Sequence, residues 1–508
     1  MDILLIDPPY VSLKGMAIDR GYNMGLTSLA AYLRSKGIDT AVLTGDLLIE
    51  AQHNLFKSLL PGVNQDVKKY AAGQQQYEMA VHNEAHVVWE KIADVVNNTH
   101  PKYVGISYLT PLKCVVEKIA HQIKEIDRDI PVIAGSFHPT FVPDEVLQNR
   151  DIDFVVRGEG EIPLLHLIDE LKKDSPNLDI VPGLSYRDKD GQVKHNPAAG
   201  IIQDLDELPF PARDLVLNCN YDFYRLHSVI TARGCPYTCS FCADRRLWGS
   251  KVRRRSVSNV IKELKLLNDN YNVSCVDIVD GTFTYDRKYV RLFCKAIIQQ
   301  QLNIKWRCTA RYDNLDADLI QLMKQANCNG LYFGLESGSD RVLKTMDKKI
   351  VVEKIIEVSK MVYESGIPSA ASILLGLPDE GKQDIEDTLK LMRKVKTDLL
   401  DVNSYIPLPG TPLYDAMTEE EKISIDWRKV GYKSLESYFS NSLSHDDFKQ
   451  YRAEAYKIAN NVRIKTIIRL GIKMLFQRIA GLFRKSPKLP RQPQAEPAYI
   501  ERPSEQES

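Results

Sequence analysis

One short stretch constrains this chain more than any other: Arg233-Gly234-Cys235-Pro236-Tyr237-Thr238-Cys239-Ser240-Phe241-Cys242. Its three cysteines are spaced C-x3-C-x2-C. Thiolates this close bend round one metal centre, whereas a lone cysteine is an ordinary small core residue. A [4Fe–4S] cube takes four ligands, and the neighbouring cysteines, Cys219 and Cys275, lie well outside the stretch. A cluster held at three corners keeps one iron open for a substrate, as a catalytic zinc keeps an open position. The alternatives are a structural zinc site or three incidental cysteines. Zinc wants a fourth Cys or His close by. His227 precedes the stretch, but no C-x2-C or H-x3-H partner follows it.

The rest of the chain sets the context for such a centre. With 508 residues, two or three domains are expected. Zero formal net charge gives no nucleic-acid signal. The opening Met1-Asp2-Ile3-Leu4-Leu5-Ile6-Asp7 is too short, too acidic and too poor in basic residues for a secretory leader. No run of 18 clean apolar residues suggests a membrane span. A reducing cytoplasm is therefore expected, where free thiols persist. The remaining cysteines (114, 219, 275, 294, 308, 328) read as buried small residues.

Residues 1–200 alternate short apolar runs (3–6, 40–43, 103–107, 132–134, 154–156) with helical patterns such as 24–36. That alternation predicts an α/β domain on a doubly wound parallel sheet, with ligands beyond the carboxyl ends of the strands. The strand-end loops are Asp7-Pro8-Pro9-Tyr10, Ser107-Tyr108-Leu109-Thr110, Gly135-Ser136-Phe137-His138-Pro139 and Arg157-Gly158-Glu159-Gly160-Glu161. Glycines and small hydroxyls there let a bulky ligand approach the backbone. Residues 47–100 read as an insertion or as helical padding, with one helix over 78–96. A hairpin signal, Asp188-Lys189-Asp190-Gly191, follows at the end of the domain. Residues 201–225 read as an extended linker through Leu208-Pro209-Phe210-Pro211.

Residues 226–415 alternate again. Strands at 229–231, 275–279, 304–309, 331–335, 369–375 and 399–403 make six βα units, a partial (β/α) barrel. Polar residues recur at the strand ends, the face where such barrels place chemistry.

The cysteine spacing, with an aromatic residue before the last cysteine, resembles the radical S-adenosylmethionine (SAM) signature. The first domain resembles the cobalamin-binding domain that precedes one large subclass of that family. The matching pieces are 24–37, Val104-Gly105-Ile106-Ser107, Ala134-Gly135-Ser136-Phe137-His138-Pro139-Thr140 and Val156-Arg157-Gly158-Glu159-Gly160-Glu161. The resemblance implies a [4Fe–4S] cluster on Cys235, Cys239 and Cys242, whose open iron chelates SAM and cleaves it to a 5′-deoxyadenosyl radical. It implies Phe241 near the adenine, and Asp280 and Thr282 at the amino-group position, here without the usual glycine pair. Arg311 would meet the SAM carboxylate, Glu336 would bind SAM at the fourth strand end, and Leu375 would flank adenine. Ser107, Thr110, Gly135, His138, Gly158, Glu159 and Gly160 would contact cobalamin. The D-x-H-x-x-G motif of methyltransferases whose His ligates cobalt is missing from the chain, so His138 is not assigned as the lower ligand.

The implied activity is cobalamin-dependent methylation of an unactivated carbon. The alternative is ring or carbon–carbon bond formation, as in the anaerobic magnesium-protoporphyrin monomethyl ester cyclases that this architecture also resembles. A protein that only senses cobalamin or redox state would bind the cofactors without cleaving SAM. A reductant such as flavodoxin or ferredoxin is implied as partner. The C-terminal region 416–485 reads as helical. From 462 to 485, Ile464, Ile468, Ile472, Leu475, Ile479 and Leu482 form one stripe among basic residues. Such a helix either rests on an anionic membrane surface or docks on the barrel. The first option allows a lipid-like substrate, the second any small molecule. Residues 486–508, rich in Pro, Gln and Glu, read as a disordered tail.

Overall fold

The computed structural model describes residues 1–10, 12–14, 23–48, 67–217, 228–434 and 436–482. Cys219, His227, the last part of the expected linker and the expected tail lie outside them. Residues 1–463 form one compact unit and 464–508 a second.

Alternation of apolar residues explains the first sheet. Strands β1 (Ile3–Asp7), β2 (Thr40–Thr44), β3 (Tyr103–Ser107), β4 (Val132–Gly135) and β5 (Phe154–Val156) pair in parallel. In β1, Leu4 and Ile6 enter one hydrophobic cluster while Ile3 and Leu5 enter another. Both faces are therefore covered by helices, as parallel sheets require. The expected hairpin, β6 (Leu184–Arg187) and β7 (Val193–His195), extends the same sheet antiparallel. The order is β2-β1-β3-β4-β5-β6-β7, so the winding reverses between β1 and β3. That switch point opens a crevice at the carboxyl ends of the strands.

The single helix expected over 78–96 is two helices, Val67–His82 and Val87–Thr99. His86 ends the continuity: its backbone is extended, and its ring accepts the Val88 amide as an N-cap. Tyr77 and Trp89 from this pair are buried against the sheet, so the insertion thickens the core.

The second sheet has the order β15-β14-β13-β12-β11-β8, parallel throughout. Its strands are β8 (Ser228–Val229), β11 (Cys275–Ile278), β12 (Lys305–Ala310), β13 (Cys328–Glu336), β14 (Ser369–Leu375) and β15 (Leu399–Ser404). These are the six units expected of a partial barrel. Between the first two lies a separate antiparallel ribbon, β9 (Ala232–Arg233) with β10 (Arg253–Arg254). The convex face carries the largest hydrophobic cluster, including Ile278, Trp306, Phe333, Ile373 and Val402. The long helix His445–Leu482 adds Phe448, Ala455, Tyr456 and Ala459 to that cluster. The C-terminal region thus contains one continuous helix where sequence patterning suggested two helical zones. The described residues between 424 and 444 before it are not helical.

Candidate functional site

The ribbon β9–β10 carries the cysteine loop. Gly234 starts the loop with φ +101°, and a Cβ there would lie 2.3 Å from the Lys251 carbonyl oxygen, so only glycine fits. The Cys235 amide donates to Gly249 O at 3.1 Å, closing the loop on itself. Barrel residues fix its far side: Ser240 N donates to Met346 O at 2.9 Å, Leu413 N to Ser240 O at 3.1 Å, and the Tyr237 hydroxyl to Asn314 at 3.0 Å.

Cys235, Cys239 and Cys242 are each partly exposed, whereas Cys294, Cys308 and Cys328 are buried as expected; Cys114 and Cys275 are intermediate. Burial raises all three loop thiols, and at Cys242 the other two add to the shift. Three mutually interacting thiols on one braced loop suit an iron–sulfur cluster, where iron takes the place of the protons. Among the described residues, no three Cys, His, Asp or Glu side chains converge on a point that would hold a single ion. A four-iron cube holds its thiolates on separate corners and needs no such point.

Around the loop stand the residues expected to meet SAM. Phe241 packs on the barrel core, with the Lys348 ammonium 5.8 Å from its ring centre. Glu336 accepts from Lys348 Nζ at 2.7 Å, and both side chains are buried. Glu336 has φ +65°, and the pairing with β14 slips between Gly334 and Glu336. A Cβ at Gly334 would lie 2.2 Å from the Glu336 carboxylate, so that glycine makes room for the pair. A left-handed glutamate at a strand end is strain of about 1–3 kcal/mol, of the kind found at ligand sites. Arg311 is held by Asp313 at 2.8 and 3.0 Å and by Lys348 O at 2.7 Å, with its guanidinium 3.7 Å over the Tyr237 ring.

Two expected SAM contacts stand differently. The buried Asp280 carboxylate accepts the Thr231 amide at 2.6 Å and the Ala232 amide at 3.1 Å, so it braces the bend between β8 and β9. Thr282 is half-buried, and its hydroxyl bonds to the adjacent Gly281 carbonyl. Leu375 is buried in the convex core, and its carbonyl accepts from Tyr405 N, leaving backbone to adjoin a ligand.

The first domain's loops meet at the switch point. Asn23 donates to Asp7 at 2.9 Å and to Ser107 at 3.4 Å, spanning β1 and β3. His138 stacks on Tyr108 with ring centres 4.6 Å apart, and its Nδ1 lies 3.1 Å from Thr110 Oγ1. Its Nε2 is buried without a partner, and burial pushes the imidazole down to about 3, so it stays neutral. Tyr108 N donates to Gly135 O, and Gly158 N to Thr140 Oγ1, which knits the loops together. Ser136, at φ +88° and ψ −160°, occupies backbone space that is essentially glycine's. The strained serine, the Asn23 bridge and the unpartnered imidazole nitrogen all lie at the carboxyl ends of the strands, where a doubly wound sheet takes its ligand. Gly160 packs against Leu29, and Glu159 turns away to arginines of the barrel.

Some groups here escaped sequence reading. Tyr432 is half-exposed, yet burial raises its phenol with Cys242, Asp244, Tyr10 and Glu336 acting on it. Its carbonyl accepts from Ser404 N at the end of β15. No local motif marks Tyr432 or Lys348; each is brought in by a loop.

The radical SAM superfamily profile matches residues 229–392, and the B12 binding domain profile matches residues 64–168. An uncharacterized methyltransferase of Pyrococcus horikoshii, PH0819, is 32% identical over 406 residues, 78% of this chain and 88% of that protein. The chain belongs to the radical SAM superfamily. It is a radical SAM enzyme of the cobalamin-binding class, with a [4Fe–4S] cluster, SAM and cobalamin as its cofactors. The anaerobic magnesium-protoporphyrin IX monomethyl ester cyclase of Rubrivivax gelatinosus is 27% identical over 68% of this chain and 63% of its own length. The fold is similar to that of the cobalamin-dependent SAM radical enzyme OxsB, with a TM-score of 0.60 at 19% identity. That alignment covers 83% of this chain and 55% of OxsB. Radical SAM enzymes take an electron from a donor and act on small molecules. No described helix is long and apolar enough to cross a membrane.

Proposed function

We propose that this enzyme methylates an unactivated carbon of a small substrate. The similarity over 88% of a protein named as a methyltransferase is the observation that carries this reading. When bound, the cluster, SAM and cobalamin supply the electron, the radical and the methyl group. Cys235, Cys239 and Cys242 hold the cluster. Arg311 offers its guanidinium to the SAM carboxylate, Lys348 and Glu336 fix the polar end of the site, and Phe241 and the Leu375 backbone border the adenine. Asp280 and Thr282 act behind these, setting the strand ends. Ser107, Thr110, Gly135, His138, Gly158 and Gly160 line the cobalamin side. We assign residues 1–200 to cobalamin, 226–415 to the radical core and 201–225 to the linker.

Anaerobic enzyme with deuteriomethyl-labelled SAM, reductant and cell extract should yield a product carrying the label. A product that loses hydrogens and carries no label would replace methylation by the cyclase reading, which the similarity to the Rubrivivax protein supports. A flavodoxin or ferredoxin would supply the electron in a cytoplasmic setting.

The second unit supports a finer reading, peripheral contact with an anionic bilayer through residues 462–485. Ile464, Ile467, Ile468 and Ile472 are all exposed on one helix with Arg463, Lys465 and Arg469 nearby. Each basic residue near an anionic surface contributes about 1 kcal/mol. Full-length protein should sediment with phosphatidylserine vesicles at low salt, and a chain ending at Asn461 should not. Equal sedimentation of the two rejects the contact and with it a lipid-like substrate.

A further inference from the structure

The ribbon that carries the cysteine loop has only two residues in each strand. A ribbon that short does not hold itself. Asp280 of the barrel takes the Ala232 amide, and a second hold comes from the other domain. Glu159, in the Gly-Glu-Gly-Glu loop after β5, is 2% exposed and receives three separate segments. Arg233 Nη1 of β9 donates to its Oε2 at 3.0 Å. Arg253 Nη2 of β10 lies 2.5 Å from its Oε1. The Ile202 amide of the linker donates to its Oε2 at 3.2 Å. Arg233 and Arg253 face each other across the ribbon, so one carboxylate grips both strands. Glu161 takes the other arm of Arg233 and is also buried. Arg233 lies two residues before Cys235, with Gly234 as the one residue between them, and the Cys235 amide is itself tied to Gly249 O at 3.1 Å.

We propose that Glu159 and Glu161 are positioning residues that set the base of the cysteine loop from the cobalamin-binding domain. Seating of that domain and geometry of the cluster ligands are then one event. The proposal rests on the reading of Cys235, Cys239 and Cys242 as cluster ligands. Carboxylates at the start of the helix Glu161–Leu171 are favoured there, and the paired guanidinium groups offset part of the cost of desolvating them.

The test uses full-length protein with its cluster reconstituted anaerobically. Glu159→Gln keeps size and removes charge. It should melt below the wild-type temperature yet stay folded at the assay temperature, bind hydroxocobalamin and load iron. Its reduced-cluster EPR signal should become heterogeneous when SAM is added, and SAM cleavage should fall roughly ten- to a hundredfold, the scale of a small misplacement. Glu159→Asp, which keeps the charge, should recover part of both. If Glu159→Gln does not fold, Glu159→Met with Arg253→Met removes the pair together and carries the same readouts. Wild-type EPR and cleavage in folded Glu159→Gln/Glu161→Gln protein overturn the proposal, as does a loss that merely tracks the unfolded fraction. A wild-type signal that ignores SAM strikes the cluster reading instead.

Discussion

The two parallel sheets share one βα alternation but differ in what their faces touch. In the first, β1 sends side chains into hydrophobic clusters on both sides, so polar groups gather only at strand ends. In the second, the convex face is apolar, while Asp277, Arg307, Thr309, Tyr332, Ser372, Asp401 and Asn403 line the concave face, all at least partly exposed. They are bonded to one another: Arg307 Nη2 to Asp277 at 2.7 Å, the Tyr332 hydroxyl to Asp401 at 3.0 Å, and Asn403 to Ser372 at 3.1 Å. Burial would raise the Asp401 carboxyl, but Lys433, Asn403 and Tyr332 hold it low. A sheet buried on both faces offers a ligand only its rim. An incomplete barrel offers a rim and an inner wall, which is what a reaction with three cofactors and a substrate needs.

The comparison can be broken most severely at the rim of the second sheet. Replacing Cys235, Cys239 or Cys242 with Ala should reduce SAM cleavage to background in the reductive assay, because each removes a cluster thiolate. Retained cleavage in any one of the three would detach the loop from the chemistry.

The two faces of the second sheet should separate in stability. Phe333 is buried on the convex side, stacked 4.1 Å from Tyr312. Phe333→Ala should cost about 3–5 kcal/mol in denaturant unfolding, by lost transfer and cavity terms. Asn403→Ala on the concave wall should cost about 1 kcal/mol, the scale of one hydrogen bond. Equal costs would mean that the wall is packed core.

Each domain also buries a titratable group that is strongly shifted, and the two shifts have opposite signs. His138 is pushed down to about 3, so the unfolded chain takes the proton first. Its contribution is present above pH 6.5 and lost as pH falls toward 3, at up to about 1.4 kcal/mol per pH unit. Glu380 is pushed up to about 8 by burial, although the Gly376 amide donates to it at 2.6 Å. Its contribution is present below pH 4.5 and lost as pH rises through 8. In cobalamin-free protein, His138→Gln should flatten the loss as pH falls from 6.5 toward 3, and Glu380→Gln the loss as pH rises from 4.5 to about 8. An exchange of these effects would invert the assignment.

The smallest effect concerns backbone alone. Ser136→Gly should stabilise the apo protein by about 1 kcal/mol, since glycine adopts this conformation without strain. A loss of stability would show that the serine hydroxyl outweighs the strain.

The sheets were legible because their strands are apolar runs bounded by turns, and the cysteine loop because its ligands are close in sequence. What stayed hidden depends on long-range pairing. Glu159 reads as a cobalamin contact in its glycine-rich loop, but its partner Arg233 lies 74 residues away. Asp280 reads as a SAM contact at the end of its strand, yet it accepts the Thr231 amide from a bend 49 residues earlier. The break at His86 was invisible because helical periodicity continues across it, and only the cap shows the turn.

The edges of the first sheet carry a further consequence. Outside β2, Val216 forms a parallel bridge to Val42, and the Leu217 amide donates to Val42 O at 2.8 Å. At the opposite side, β7 is three residues long and presents Lys194 and His195 to solvent. One border is thus occupied by the chain's own linker and the other is short and polar. Unpaired strand borders template aggregation. Among the described residues this sheet offers no long bare border to a second copy, so concentrated protein should pass through anaerobic cluster loading without β-sheet polymerisation seeded there.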